Sequence, residues 1–310
     1  MIFALRAILV SLAFFAVLYS FLSLLLVLAW QGLRLCHFQK HIGARGLFAL
    51  RVIPFAISAA VSLFLTLPSF LLLEKHSLDE DFGTFVLSAC AILILGAGIY
   101  RVSAAEARTR RVVSACLEDA IGLDRNAVTP TIILAQSISP VMLVGVRDSR
   151  ILISASACRV LTDKELRAAV RHETAHSRSR DNLKKAILNC LPFPGMASLE
   201  QAWQEASELA ADDGAVSSRD EALDLAAALI KLARHFPYQS MPDLATGLVS
   251  AVASVTSRVE RLVAWKESAA ASGVNWRYGI AVAFIAFFAF AAKLGPALVF
   301  VHSLTERLVP

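Results

Sequence analysis

Three uncharged apolar runs, each long enough to cross a bilayer, stand within the first hundred residues and limit what the rest of the chain can be. They are Ala7 to Trp30, Val52 to Leu73 with Pro54 and Pro68 inside it, and Phe82 to Tyr100. A hydrocarbon core takes roughly 20 apolar residues of helix to span. The first run is too long for a secretory signal, whose apolar part covers only about 7–15 residues, so it is expected to stay as an anchor. A fourth run, from near Tyr278 toward Val301, is interrupted by Lys293 and Gly295-Pro296, and a kinked span with the lysine amine reaching outward is expected there. The composition agrees, with 57% hydrophobic residues in 310 and a mean hydropathy of +0.62, well above a soluble domain of this length.

Loop charges set the expected orientation. Between the first two runs lie Arg34, Lys40, Arg45 and Arg51 with no acid, a balance of +4. Between the second and third lie Glu74, Lys75, Asp79, Glu80 and Asp81, a balance of −3. Short basic loops stay in the cytoplasm, and Arg101, Arg108, Arg110 and Arg111 directly after the third run agree. Residues 1–100 are thus read as three transmembrane helices (about 7–30, 52–73 and 82–100). Residues 101–275 form a cytoplasmic domain, and 276–310 a fourth span with a short outer tail. Both termini then lie outside an inner (cytoplasmic) membrane. The net charge of +5 is too small and dispersed for nucleic acid. Cys36, Cys90, Cys116, Cys158 and Cys190 form no C-x-x-C pair, which suits a reducing compartment.

The inner domain has nearly balanced charge. A charged helical stretch, Ser103 to Leu123, continues the third run. Strand-like runs follow at Thr131–Ala135, Val141–Val146 and Ile151–Ser154, with Arg147-Asp148-Ser149-Arg150 as a hairpin turn. The Pro140–Val146 run is a candidate sheet edge on which an extended peptide docks. Thr162-Asp-Lys-Glu165 then reads as a capping box that opens a helix through Ser177. Ser198 is positioned to cap a helix with an apolar stripe at Leu199, Ala202, Trp203, Ala206, Leu209 and Ala210. A second box, Ser218 to Glu221, opens a helix to about His235, and a last helix is expected from Leu244 to Ser268.

On the first of these helices stands His172-Glu173-Thr174-Ala175-His176, an H-E-x-x-H pattern. Side chains four apart share a helix face, so both imidazoles can reach one Zn²⁺. Glu173 is rotated away from direct coordination, yet can act as general base toward a water on the metal. The bland alternative is a solvated polar face, and it fits poorly with a capped helix directly after a hairpin. A catalytic zinc needs a third protein ligand. No histidine follows at short spacing, so a carboxylate from Glu205, Glu208, Asp212 or Asp213 is the natural donor. His235, Tyr238, Arg258 and Arg261 are open candidates for steadying the oxyanion.

The run His172-Glu-Thr-Ala-His176-Ser-Arg-Ser-Arg-Asp181-Asn182, followed by Glu208-Leu-Ala-Ala-Asp212, resembles the membrane gluzincins of the BlaR/MecR type. So do Pro140-Val-Met-Leu-Val-Gly145, Leu161-Thr-Asp-Lys-Glu-Leu166 and Arg258-Val-Glu-Arg261-Leu262. HtpX-type peptidases share H-E-x-x-H and E-x-x-x-D, and Ala211 stands where the BlaR/MecR group often has cysteine. The sequence ends at Pro310, so the extracellular penicillin-sensor domain of those sensors is expected to be lacking. The resemblance implies an α+β fold, with a mainly helical integral membrane protein of four spans and a gluzincin-like domain of a small antiparallel sheet plus helices. It implies His172, His176 and Glu208 as zinc ligands, Glu173 as base, and Asp212 behind the metal, orienting a histidine. Position alone leaves Glu205 and Glu208 equal. Glu208 gains from Asp212 four residues on, where Glu205 has apolar Leu209.

The expected activity is zinc-dependent endopeptidase cleavage of a cytoplasmic or membrane-proximal protein, either a transcriptional repressor in a signalling pathway or, as in HtpX-type enzymes, a membrane protein under quality control. The expected partners are that protein substrate and the lipid bilayer. A non-catalytic receptor or scaffold with a zinc site is the rival, and an intact Glu173 speaks against it. A transporter would need paired polar residues at the bilayer midplane, and only Pro54, Pro68 and Lys293 come near that.

Overall fold

The computed structural model describes residues 2–36, 42–73, 82–118, 131–135, 140–236, 244–248 and 255–266, with positions 296, 299–301 and 303–304. The sequence-predicted fourth span, 276–310, therefore lies almost wholly outside the described residues.

Among the described residues, three helices are long and apolar enough to cross a membrane. The first, α1 (Ile2–Leu35), has 34 residues, about 50 Å at 1.5 Å per residue. The second begins as α2 (Ala44–Val61) and passes through a π turn at Ser62–Thr66 into α3 (Leu67–Leu73). Pro68 explains that turn, because it lacks an N–H and its ring clashes with the carbonyl a turn earlier. The third, α4 (Phe82–Glu118), is continuous over 37 residues and carries the charged stretch expected after the span. On α1, Ala7, Val10, Phe14 and Tyr19 are buried, whereas Leu5, Ile8, Phe21, Leu24 and Leu28 are exposed. Ile53, Phe64, Leu72, Leu93 and Ile99 on the other helices are exposed too. So much bare apolar surface belongs in lipid. The chain is a membrane protein.

The described residues divide into two compact units. One draws its described residues from 1–31, 52–96 and 268–310, and the other from 32–51 and 97–267. Gly32–Arg51 therefore groups with the H-E-x-x-H helix. Arg51, counted above with a loop, lies inside α2 and is buried.

In the second unit a four-stranded sheet runs in the order β1 (Thr131–Ala135), β3 (Arg150–Ser154), β2 (Val141–Val144), β4 (Ala245–Gly247). The β2–β3 hairpin and the β2–β4 pair are antiparallel, as expected for a small antiparallel sheet, and β1 joins parallel to β3. Strand β4 replaces the start of the helix expected from Leu244, which shrinks to α10 (Val255–Val263). Because β4 pairs with β2, the Pro140–Val146 run is an interior strand and not the sheet edge the sequence suggested. Alternation sorts the two faces. Val141, Leu143, Ile151 and Ile153 enter the main core. Met142, Val144 and Leu152 meet Val112 and Val113 of α4.

Helices α5 (Ala155–Val160), α6 (Asp163–Ser179), α7 (Asp181–Asn189), α8 (Ala197–Ala215) and α9 (Arg219–His235) complete the unit. Thr162 and Glu165 close the capping box of α6, and Lys231 of α9 adds a 2.8 Å ion pair to Glu165. Ser218 caps α9, but the Glu221 carboxylate turns to Ser217 instead of closing a second box. The N-cap of α8 is Met196 and not Ser198. Its buried face also departs from the expected stripe. Leu199 and Trp203 are buried, then Ser207, Glu208, Ala211 and Asp212, while Ala210 is exposed. Polar groups replace apolar ones there because α8 packs against the histidine face of α6.

Candidate metal centre

Helix α6 delivers His172, Glu173 and His176 to the interior with no exposed surface at all. Burying three such polar side chains is costly unless each finds partners, and the neighbouring helices supply them. The α6 helix ends at Arg180, whose left-handed backbone (φ 55°) turns the chain at once into α7. That turn returns Asp181 to His176, with Nδ1 2.7 Å from Asp181 Oδ2. The same oxygen accepts from Ser207 Oγ at 2.7 Å, and Oδ1 accepts from Lys184 Nζ at 2.9 Å. On the other side His172 Nδ1 lies 3.0 Å from Asp212 Oδ1 of α8, an electrostatic contact off the ideal hydrogen-bond direction.

With both Nδ1 atoms turned to carboxylates, both Nε2 atoms face inward, 3.1 Å apart. Glu208 closes the triangle, with its carboxylate oxygens 3.6 Å from His172 Nε2 and 3.7 Å from His176 Nε2. One donor atom from each of His172, His176 and Glu208 lies within 4.8 Å of the others. This is a pocket of two converging imidazole nitrogens and a carboxylate. Such a pocket suits a cation. Two imidazoles and a carboxylate form the donor set that zinc uses in catalytic sites, so these residues fit a metal ion.

Charge around the site gives the same answer. Glu173, Asp181, Glu208 and Asp212 are all buried carboxylates. Against them stand Arg258, 1% exposed, with Lys184 paired to Asp181 and Lys185 donating to the Ala245 carbonyl. Arg258 of α10 forks onto Asp212 at 2.8 and 2.6 Å, and its Nη1 sits 3.0 Å from Glu208 Oε2 and 2.9 Å from the Leu248 carbonyl. Burial opposes ionisation of Glu208 and Asp212, yet hydrogen bonds and charges from His172, His176 and Arg258 prevail. Glu208 is held down at about 2, and Asp212 well below the usual range. For His172 burial again opposes the charge, but Asp212 and Glu208 outweigh it and raise the imidazole to about 9.

Glu173 differs from these. Burial drives its pKa upward, with the imidazoles only partly offsetting this. Its Oε1 has no hydrogen-bond partner among the described residues, and Oε2 meets only Thr246 Oγ1 of β4, at 3.4 Å. A buried carboxyl with a raised pKa and a free oxygen has the profile of a proton acceptor.

The structure thus brings His172, Glu173, His176, Glu208 and Asp212 together and leaves Glu205 exposed, hydrogen-bonded to Gln201. Of the oxyanion candidates, Arg258 is committed to Asp212 and Glu208, and Arg261 to Asp213 and the Leu209 carbonyl. His235 bonds the Lys231 carbonyl at the end of α9, and Tyr238 lies outside the described residues. Sequence reasoning gave no role to Asp181, although it sits in the quoted motif, nor to Asn182. The Asn182 amide donates to the Leu143 and Gly145 carbonyls at 3.3 and 3.0 Å and ties α7 to β2.

No curated protein matches this chain. A family model described as BlaR1 peptidase M56 matches residues 83–262, from the third apolar helix through α10. That match takes in α6 and α8 and covers more than half of the 310 residues. The chain belongs to the BlaR1 peptidase M56 family and is a membrane peptidase.

Proposed function

We propose that this peptidase is a zinc-dependent endopeptidase in which His172, His176 and Glu208 hold the metal and Glu173 is the general base. The observation that carries the reading is the convergence of two inward Nε2 atoms and one carboxylate, each fixed from behind by a buried partner. Bound there, zinc would supply Lewis acidity and bring the pKa of a coordinated water toward neutrality. The chain's own residues do the rest. Asp181 and Asp212 hold the histidines in the Nδ1–H tautomer. Arg258 fixes Glu208 and Asp212 against each other. Glu173, with one oxygen unengaged, takes a proton from the attacking water and passes it to the leaving amine. A relic binding site would have no use for a buried carboxylate with one oxygen left free.

The substrate we assign is a cytoplasmic or membrane-proximal protein. Arg34, Lys40 and Arg45 in the first connection, against the −3 balance of the second, support a cytoplasmic peptidase domain, outer termini and an inner-membrane location. A repressor substrate in a signalling pathway is the first reading, given the family. An HtpX-like role in membrane-protein quality control is the second, favoured by Ala211. A neighbouring gene for a small winged-helix repressor would favour the first. The ligand set is tested by zinc content after purification in detergent with a mild chelator. Glu208→Gln should be nearly metal-free, Asp212→Asn intermediate and Glu205→Gln equal to wild type. A zinc-loaded Glu208→Gln beside a zinc-free Glu205→Gln would reverse the assignment.

A further inference from the structure

Arg51 sits inside the largely apolar α2, yet it is 1% exposed, with two of its three nitrogens bonded and Nη1 without a partner among the described residues. Its Nε donates to Glu200 Oε1 of α8 at 2.9 Å, and one Nη donates to the Leu191 carbonyl in the α7–α8 turn. One turn earlier, the Phe48 ring lies 6.2 Å from the Trp203 ring, tilted by 48°. Residues 48 and 51 on α2 thus meet residues 203 and 200 on α8 in reverse order. These are two side-chain contacts one turn apart on each helix. The same turn is gripped from a second side. At Gly98 of α4 a Cβ would collide with the Cys190 carbonyl and press on Pro192, so only glycine allows the helix so close.

What the turn connects gives this contact its meaning. On one side is α7, whose first residue, Asp181, orients His176. On the other is α8, an unbroken helix from Ala197 to Ala215, carrying Glu200 in its first turns and Glu208 and Asp212 further along. Glu200 and Glu208 are eight residues apart, about 12 Å along a stiff rod.

We propose that Arg51 is a positioning residue for the metal centre, setting the placement of α8, and with it Glu208, from the inner end of a membrane-spanning helix. This rests on Glu208 being a metal ligand. Arg51 touches neither metal nor substrate; it acts through Glu200, the Leu191 carbonyl and the α8 rod. Arg51, Glu200 and Glu208 belong to the same unit, so the first turns of α2 are tied to the helix that carries the third ligand.

The test uses the full chain in detergent with Co²⁺ as the probe, since its visible spectrum reports ligand number and geometry. Arg51→Gln and Glu200→Gln should each weaken Co²⁺ affinity about tenfold, the scale of changes that reach a metal through its supports, and both should alter the spectrum. The double variant should be no worse than either single one, because both remove the same link. Glu205→Gln, on the surface of the same helix, should match wild type. Glu200 is partly exposed, so Glu200→Gln keeps the test decisive if Arg51→Gln does not fold. Unchanged affinity and spectrum in folded variants, or additive losses in the double variant, would overturn the proposal and leave the ligand assignment standing. A wild type that binds no stoichiometric Co²⁺, or a Glu208→Gln that binds it normally, would overturn both.

Discussion

Replacing Asp181 by asparagine separates two things this residue does. Its Oδ2 accepts from His176 Nδ1 and Ser207 Oγ, both at 2.7 Å, and its Oδ1 accepts from Lys184 at 2.9 Å. Burial opposes its charge, but His176 first, then Lys184 and Ser179, hold the carboxyl well below the usual carboxylate range. Asparagine keeps the shape and one acceptor. Its amide must then face either the Lys184 ammonium or the Ser207 and His176 donors, and the charge is gone. A hydrogen bond to a charged group is worth about 1.5–3 kcal/mol, which converts to roughly 10- to 150-fold. That range overlaps the roughly 10–100-fold loss typical when the group behind a metal-bound histidine is changed. Asp181→Asn should therefore weaken zinc binding by one to two powers of ten, measured by chelator competition in detergent, while the fold persists. An affinity within twofold of wild type would show that His176 needs no anionic partner. A loss as complete as that of Glu208→Gln would mean that Asp181 is itself a ligand, and either result refutes the arrangement described.

Metal uptake should expel a proton. In the metal-free protein His172 is raised to about 9, so it is protonated at pH 7. Its folded value lies above the ordinary 6.5, so this proton stabilises the metal-free fold fully below that value, and the contribution fades as pH rises through about 9. Calorimetry in buffers of different ionisation enthalpy should register about one proton released per zinc at pH 7, and none released would contradict it. Topology reporters should read as extracytoplasmic after Asp79 and cytoplasmic after Arg45 or Ser217, and an extracytoplasmic Ser217 would invert the orientation. Val144→Pro should disrupt the unit and lower its thermal stability, since Val144 is buried in a strand paired on both sides. An unchanged melting temperature would argue against β4 pairing there.

Much of this was legible in the sequence because its signals are local. H-E-x-x-H encodes a shared face within one helical turn, the Thr162 box marks where that helix begins, and apolar runs mark the spans by length alone. The Glu208–Asp212 spacing works in the same way. What escaped is long-range or irregular. Asp181 is five residues from His176, but it reaches the ring only because Arg180 adopts a left-handed turn, a conformation that no arginine advertises. Strand β4 has three residues, too few for any period, and it exists through pairing with Met142–Val144, about a hundred positions earlier. Arg258 stands out in the sequence only as an oxyanion candidate and part of a family motif; its partnership with Asp212 and Glu208 emerges once they are folded beside it. Arg51 was read as a loop charge because its partner, Glu200, lies 149 residues away.

The most direct test of the central claim compares wild type with Glu173→Gln in cells, by quantitative mapping of new protein N-termini together with the zinc content of the two purified proteins. Removing the proton acceptor while both histidines and Glu208 remain should leave zinc stoichiometry unchanged and abolish a defined set of cleavage products seen only with wild type. Identical N-terminal profiles, or the same products from a fully zinc-loaded Glu173→Gln, would contradict the assignment of Glu173 as the base of a zinc endopeptidase.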